Sequence, residues 1–154
     1  MKNRTLIYLS IGVLLMAILS FSIKGVYESK AEAEVKALIL KAYINGAFNG
    51  LDPDAMRMGF HSDFAIFSAD GEAISKYPIK TWADGVEKRK MTSEFDASKN
   101  KWEHKFAIVD VTGGSASAKI ELFKDDKQVY TDYLSLLKFD SGWKIVAKVY
   151  HKHE

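Results

Sequence analysis

The chain contains no cysteine, which excludes disulfides, thiolate metal sites and a lipid-bearing cysteine behind a leader. Its stability must come from packing, and any chemistry from oxygen and nitrogen groups. There is no excess of one charge either. The 22 basic and 20 acidic groups give a formal charge of +2, and setting aside Lys2 and Arg4 leaves a neutral remainder. No basic stripe interleaved with aromatics is visible, so no nucleic acid is expected as a partner, and an anionic membrane surface is disfavoured for the same reason. Lys88, Arg89 and Lys90 read as a solvated helix end beside its negative dipole terminus. Also absent are a glycine-rich phosphate loop, a nucleophile elbow and a histidine-glutamate zinc motif, so no cofactor and no metal are expected. His151 and His153 stand two apart, but at a solvated C-terminus with no third ligand nearby.

What is present is enough for one domain. A chain of 154 residues, 47% hydrophobic and 27% charged, can bury a single core. The first segment stands apart from it. Lys2 and Arg4 precede an apolar run from Leu6 to Ile23, broken only by Ser10, Gly12, Ser20 and Ser22, which is the layout of an export signal over residues 1–23. The run is longer than the apolar part of most cleaved leaders and shorter than a comfortable membrane span. A cleaved signal is the favoured reading, with a retained N-terminal anchor as the alternative. The protein is therefore expected outside the cytoplasm, touching a membrane only through that segment if it is uncleaved.

From about Glu28 to Asn49 the apolar spacing is helical, deepening toward the C-terminal half, and Gly50 stands where a left-handed cap is wanted. Asp52 and Pro53 supply an N-cap and a first-turn proline for a second short helix through Met58. His61-Ser62-Asp63 closes it. Phe64–Phe67 reads as a short strand with Ala73–Lys76 as its hairpin partner across Gly71, and Pro78 opens a third helix that runs out near Met91. Four strand-like runs follow: Lys101–Val111, Ser115–Phe123, Gln128–Phe139 and Trp143–His151, with turn residues at each break. Helices first and strands last indicate an α+β domain over residues 28–152, in which an antiparallel sheet folds over a helical layer. Parts of the third and fourth runs are apolar on both faces, which suggests a homodimer through the sheet.

The segments AYINGAFNGLDPDAMRMGFHSDFAIF (Ala42–Phe67) and TDYLSLLKFDSGWKIVAKVYH (Thr131–His151) resemble the nuclear transport factor 2-like superfamily, specifically its branch of putative lumazine-binding proteins. The resemblance spans about Ala31 to His151. It implies a cone of three helices against a strongly curved sheet, dimeric association, and a pocket between the helices and the concave face. It does not imply one activity, because the superfamily includes isomerases, dehydratases, cyclases and members that only bind.

Asp132 is the first candidate for chemistry. On a period-two strand it shares a face with Tyr130, Leu134 and Leu136, where a poorly solvated carboxylate would suit a general base. The competing reading, and the favoured one, is a structural carboxylate held by Lys148 or Tyr150 on the next strand, with the register left open by the turn at Asp140–Gly142. His61 could serve as acid or base at a pocket mouth, but a histidine capping helix carbonyls is the simpler reading. Tyr43, Phe64, Trp82, Trp102 and Tyr133, with Phe48, are the aromatics placed to line a cavity and stack on a ligand. Ordinary core packing competes for most of them. Three functions follow: a pocket protein binding a small apolar or aromatic molecule, an isomerase or dehydratase using Asp132 or His61, or an interaction domain with a filled cavity.

Overall fold

The computed structural model describes residues 28–154, so the Leu6–Ile23 run and its export reading lie outside the described residues. Helix α1 begins as Lys30–Leu38 on a capping box: Ser29 Oγ accepts the Glu32 N–H at 3.1 Å, and the Glu32 carboxylate accepts the Ser29 N–H at 2.9 Å. It continues over Ile39–Asn49 with π-type winding, burying Ile39, Ala42, Tyr43, Ile44, Gly46 and Ala47. Burial thus deepens toward the C-terminal half, as the apolar spacing predicts. The left-handed residue that ends the helix is not Gly50, whose φ is −94°, but Leu51, whose φ is 46°. Glycine at 50 answers a need for space, since a Cβ there would come within 2.6 Å of Asn45 Oδ1. The strain at Leu51 is held in place by a fully buried side chain.

Helix α2, Pro53–Gly59, is capped by Asp52, which accepts the Ala55 N–H at 3.0 Å. Strands β1 (Phe60–Asp70) and β2 (Ala73–Pro78) form a hairpin around Gly71, and helix α3 (Ile79–Lys90) turns its buried Ile79, Ala83 and Val86 to the core. A meander completes the chain: β3 (Glu103–Thr112), β4 (Ser115–Lys124), β5 (Lys127–Phe139) and β6 (Gly142–Lys152). No helix among the described residues is long and apolar enough to cross a membrane.

The six strands form one open, curved sheet in the order β2-β1-β6-β5-β4-β3. Two expectations need correction. The sheet is mixed, because β1 pairs in parallel with β6 while every other pair is antiparallel. And α3 follows the first hairpin, so the three helices are not all N-terminal to the sheet. The long excursion between β1 and β6 is what permits the parallel contact, which a tight turn cannot make.

The clean alternation of β4 sends Ala116, Ala118, Ile120 and Leu122 into the core, where they meet Leu134, Leu136 and Ile145 from the neighbouring strands. Val35, Ile39 and Tyr43 of α1, with Phe60, Phe64, Ala83 and Val86, cover them. Trp143 packs in this core, as its position after the last turn suggests.

Candidate functional site

Two bulges decide what faces the interior. In β6, Ile145 pairs with Leu136 but Ala147 pairs with Ser135, so Val146 is an extra residue and the period-two alternation changes phase there. Trp143 and Ile145 point inward before the bulge; Lys148 is buried on the inner side after it. In β1 the register slips between Phe60 and Ala65, so the strand takes in His61, Ser62 and Asp63, which read in sequence as a helix end.

The phase change brings Lys148 against Asp132. Lys148 Nζ lies 2.8 Å from Asp132 Oδ1 and donates to Tyr43 Oη at 2.7 Å, while Tyr43 Oη donates to Asp132 Oδ2 at 2.5 Å. The contact at Oδ1 is electrostatic rather than a directed hydrogen bond, and Oδ1 has no other donor. Tyr43 and Asp132 are fully buried and Lys148 nearly so. Burial pushes the Tyr43 hydroxyl well above its ordinary range, and the Asp132 carboxylate adds to the shift. Burial pulls the Lys148 ammonium down, opposed by Asp132. The ammonium also sits among four rings, 4.9 Å from the centroid of Tyr43, 5.1 Å from Tyr150, 5.6 Å from Trp82 and 5.9 Å from Tyr130.

Lys148 forms part of the wall of a cavity of about 320 Å³ between the end of α1, helix α3 and the inner face of β1, β5 and β6. Phe48, Tyr77, Trp82, Tyr130 and Tyr150 supply its rings and Arg89 its second cation. A smaller adjoining space of about 290 Å³ shares Phe48, Arg89 and Tyr130 with it and adds Trp102 and Lys124. Asn49 fixes Trp102 there, its Oδ1 accepting the Trp102 N–H at 2.7 Å and its amide donating to the Trp102 carbonyl at 3.2 Å.

The residues singled out in sequence fall in different places. Trp82 lines the larger space and Trp102 the smaller, stacked 6.0 Å from Tyr130. Tyr43 and Phe64 lie one layer deeper, Phe64 behind Trp82 at 6.1 Å. Tyr133 is on the opposite face of the sheet, 47% exposed, with Lys119 over its ring at 5.8 Å. Asp132 stands behind Lys148 rather than in the cavity wall. His61 sits on β1, stacked on Phe139 at 4.9 Å, with its Nδ1 accepting the Asp63 N–H at 3.2 Å. Asp132 and Phe139 are seven positions apart on β5, about 20 Å along an extended strand, so His61 and Asp132 are not brought together.

Arg89 escaped the sequence reading as a solvated helix end. Its guanidinium instead crosses to α1 and donates to the Ala47 carbonyl at 2.9 Å. Its neighbours Lys88 and Lys90 gave the cluster a dipole explanation that hid the one member reaching across to α1.

The sequence profile of the family described as "Putative lumazine-binding" matches residues 30–151, all of the helices and strands but the last residue of β6. The chain belongs to that family. No curated protein matches the sequence. Among solved structures, an NTF2-like protein of unknown function from Shewanella baltica OS155 is similar at 27% identity, with 82% of this chain and 98% of that chain covered and a TM-score of 0.61. An NTF2-like protein of unknown function from Methylobacillus flagellatus KT is also 27% identical, with 82% and 95% covered and a TM-score of 0.60. The S. rosetta CaMKII hub shares the fold alone at 20% identity, with 81% and 96% covered and a TM-score of 0.52. Family membership and these neighbours agree on an α+β domain of the nuclear transport factor 2 type with three helices and a curved mixed sheet.

Proposed function

We propose that the protein binds a small aromatic or apolar molecule in the cavity between α1, α3 and the sheet. The observation that carries this reading is the wall itself: Phe48, Trp82, Tyr130 and Tyr150 offer flat faces, and a few polar groups offer orientation, the usual make-up of a small-molecule site. The family description names a lumazine, and a flat heterocycle of that kind would stack on such rings. Native mass spectrometry of the purified protein, followed by extraction, tests it. A retained small molecule, lost from Trp82→Ala, is the expected result; an empty protein that quenches no tryptophan fluorescence with any aromatic probe would refute it.

The enzyme reading draws less support. The Asp132 oxygens face Tyr43 and Lys148 behind the cavity wall, and His61 lies on β1 beside Phe139, so these two candidates do not converge on the cavity.

Two further parts of the reading rest on other features. Export rests on the basic start and apolar run over residues 1–23, and the mass of the mature chain distinguishes cleavage from anchoring. A homodimer through the sheet rests on a row across its outer face in which Ile108, Lys119, Tyr133 and Val149 stand in register. Its three apolar members are 57%, 47% and 49% exposed, which is unusual for a face meant only for water.

A further inference from the structure

The cavity and its neighbour are lined by cations with no carboxylate among them. Arg89 borders both spaces, and Lys124 borders the second, its Nζ 5.2 Å from the Trp102 ring centroid. Lys148 is already neutralised by Asp132. Arg89 is not: it meets the Ala47 carbonyl and forms no ion pair among the described residues. The nearest acidic side chain in sequence, Glu87, is held by Arg57 at 2.7 Å, and Glu94 and Asp96 line a third depression that Arg89 and Lys124 also border, where Asp96 is engaged by Ser98 at 2.7 Å and Lys99 at 3.3 Å. A guanidinium cannot shed its proton to escape this setting. Two positive groups without an ion pair among the described residues therefore stand at one end of a ring-lined space.

We propose that the site takes an aromatic anion, a flat ring system bearing a carboxylate or an equivalent acidic group. Its rings lie against Phe48, Trp82 and Tyr130, and its charge is directed at Arg89 and Lys124. This rests on the binding function proposed above and narrows its ligand class. Arg89 is suited to the role because its planar fork meets a carboxylate in two parallel contacts. Neutral ring systems of the same shape would fill the same volume and leave the two cations unanswered.

Matched acid and amide probes test this: calorimetric titration of the purified full chain with naphthalene-2-carboxylate and naphthalene-2-carboxamide, and with benzoate and benzamide. The acids should bind about tenfold more tightly than their amides. Arg89→Met should erase that preference and Arg89→Lys should keep most of it. Lys124→Met, a change at the surface, should reduce the preference without loss of the fold. Equal affinity for acid and amide in the unaltered protein would overturn the anion assignment while leaving aromatic binding intact. No binding of either probe in either pair would overturn both. A preference that survives both Arg89→Met and Lys124→Met would overturn the assignment to these two cations.

Discussion

Asp132, Lys148 and Tyr43 form a closed triangle with almost no water around it, and that makes each of them costly to remove alone. Asp132→Asn leaves the ammonium buried without its counter-charge and is expected to lower stability by about 3 to 5 kcal/mol, read by urea unfolding. The double change Asp132→Leu with Lys148→Met removes both charges and should recover much of that loss, so the two changes will be far from additive. The triangle also sets an alkaline signature. The folded-state pKa of Lys148 lies below its ordinary 10.5, so just below that pH the unfolded chain binds more protons, and stability rises as the pH climbs toward 10.5. Tyr43 is shifted the other way: above its ordinary 10.0 the folded chain keeps a proton the unfolded chain loses, and stability falls with pH. Thermal unfolding across this range should show the rising contribution disappear in Lys148→Met and the falling one in Tyr43→Phe. Lys148 on the next strand was legible as a partner of Asp132, but the tyrosine that holds the carboxylate is Tyr43 of α1 rather than Tyr150. The facing of Lys148 was not legible, because it depends on a bulge that no residue pattern announces.

Among the elements, the Val146 bulge decides whether Lys148 and Tyr150 face the cavity or the solvent. Unbulged alternation from Trp143 would turn Lys148 outward, but deleting Val146 removes the extra residue itself and leaves Lys148 opposite Leu134 and facing Asp132. The expected result is a chain that keeps its near-ultraviolet circular dichroism; loss of that signal and early unfolding would contradict the account. The contact between α1 and α2 is equally tight. A Cβ on Gly59 would stand 2.2 Å from the Ala42 Cβ and 3.1 Å from Leu38 Cδ1, so Gly59→Ala should cost about 1 to 3 kcal/mol in the same urea experiment. Element types were largely readable from the sequence. The long first helix, the short second one behind Asp52-Pro53, the Pro78 helix and all four late strands lie within a few residues of their expected bounds. Strand β1 was seen only as Phe64–Phe67, because its first half is bulged and its His-Ser-Asp run imitates a helix end. The parallel neighbour of β1 was hidden for a different reason: alternation tells which face a residue takes and not which strand lies beside it.

For the molecule as a whole, the two faces of the sheet differ in kind. The inner face carries the core and the charged triangle; the outer face carries the Ile108, Tyr133 and Val149 row. If that row is where two copies meet, sedimentation of the unaltered chain should give a dimer, and Tyr133→Asp should give a folded monomer. A monomer in the unaltered chain would remove the dimer proposal and leave the cavity untouched. Tyr133 thus belongs to the outer face, whereas Trp82 and Trp102 line the cavity spaces, a division that alternation alone does not give because one strand carries both faces.

Strand β6, the last of the described strands in chain order, lies between β1 and β5 in the interior of the sheet. Until β6 has been made, β1 has no inner neighbour, Asp132 no ammonium, and the helices only part of a surface to settle on. A nascent chain of this protein must therefore wait, held loose, and a product cut short before Gly142 would have no route to the native state.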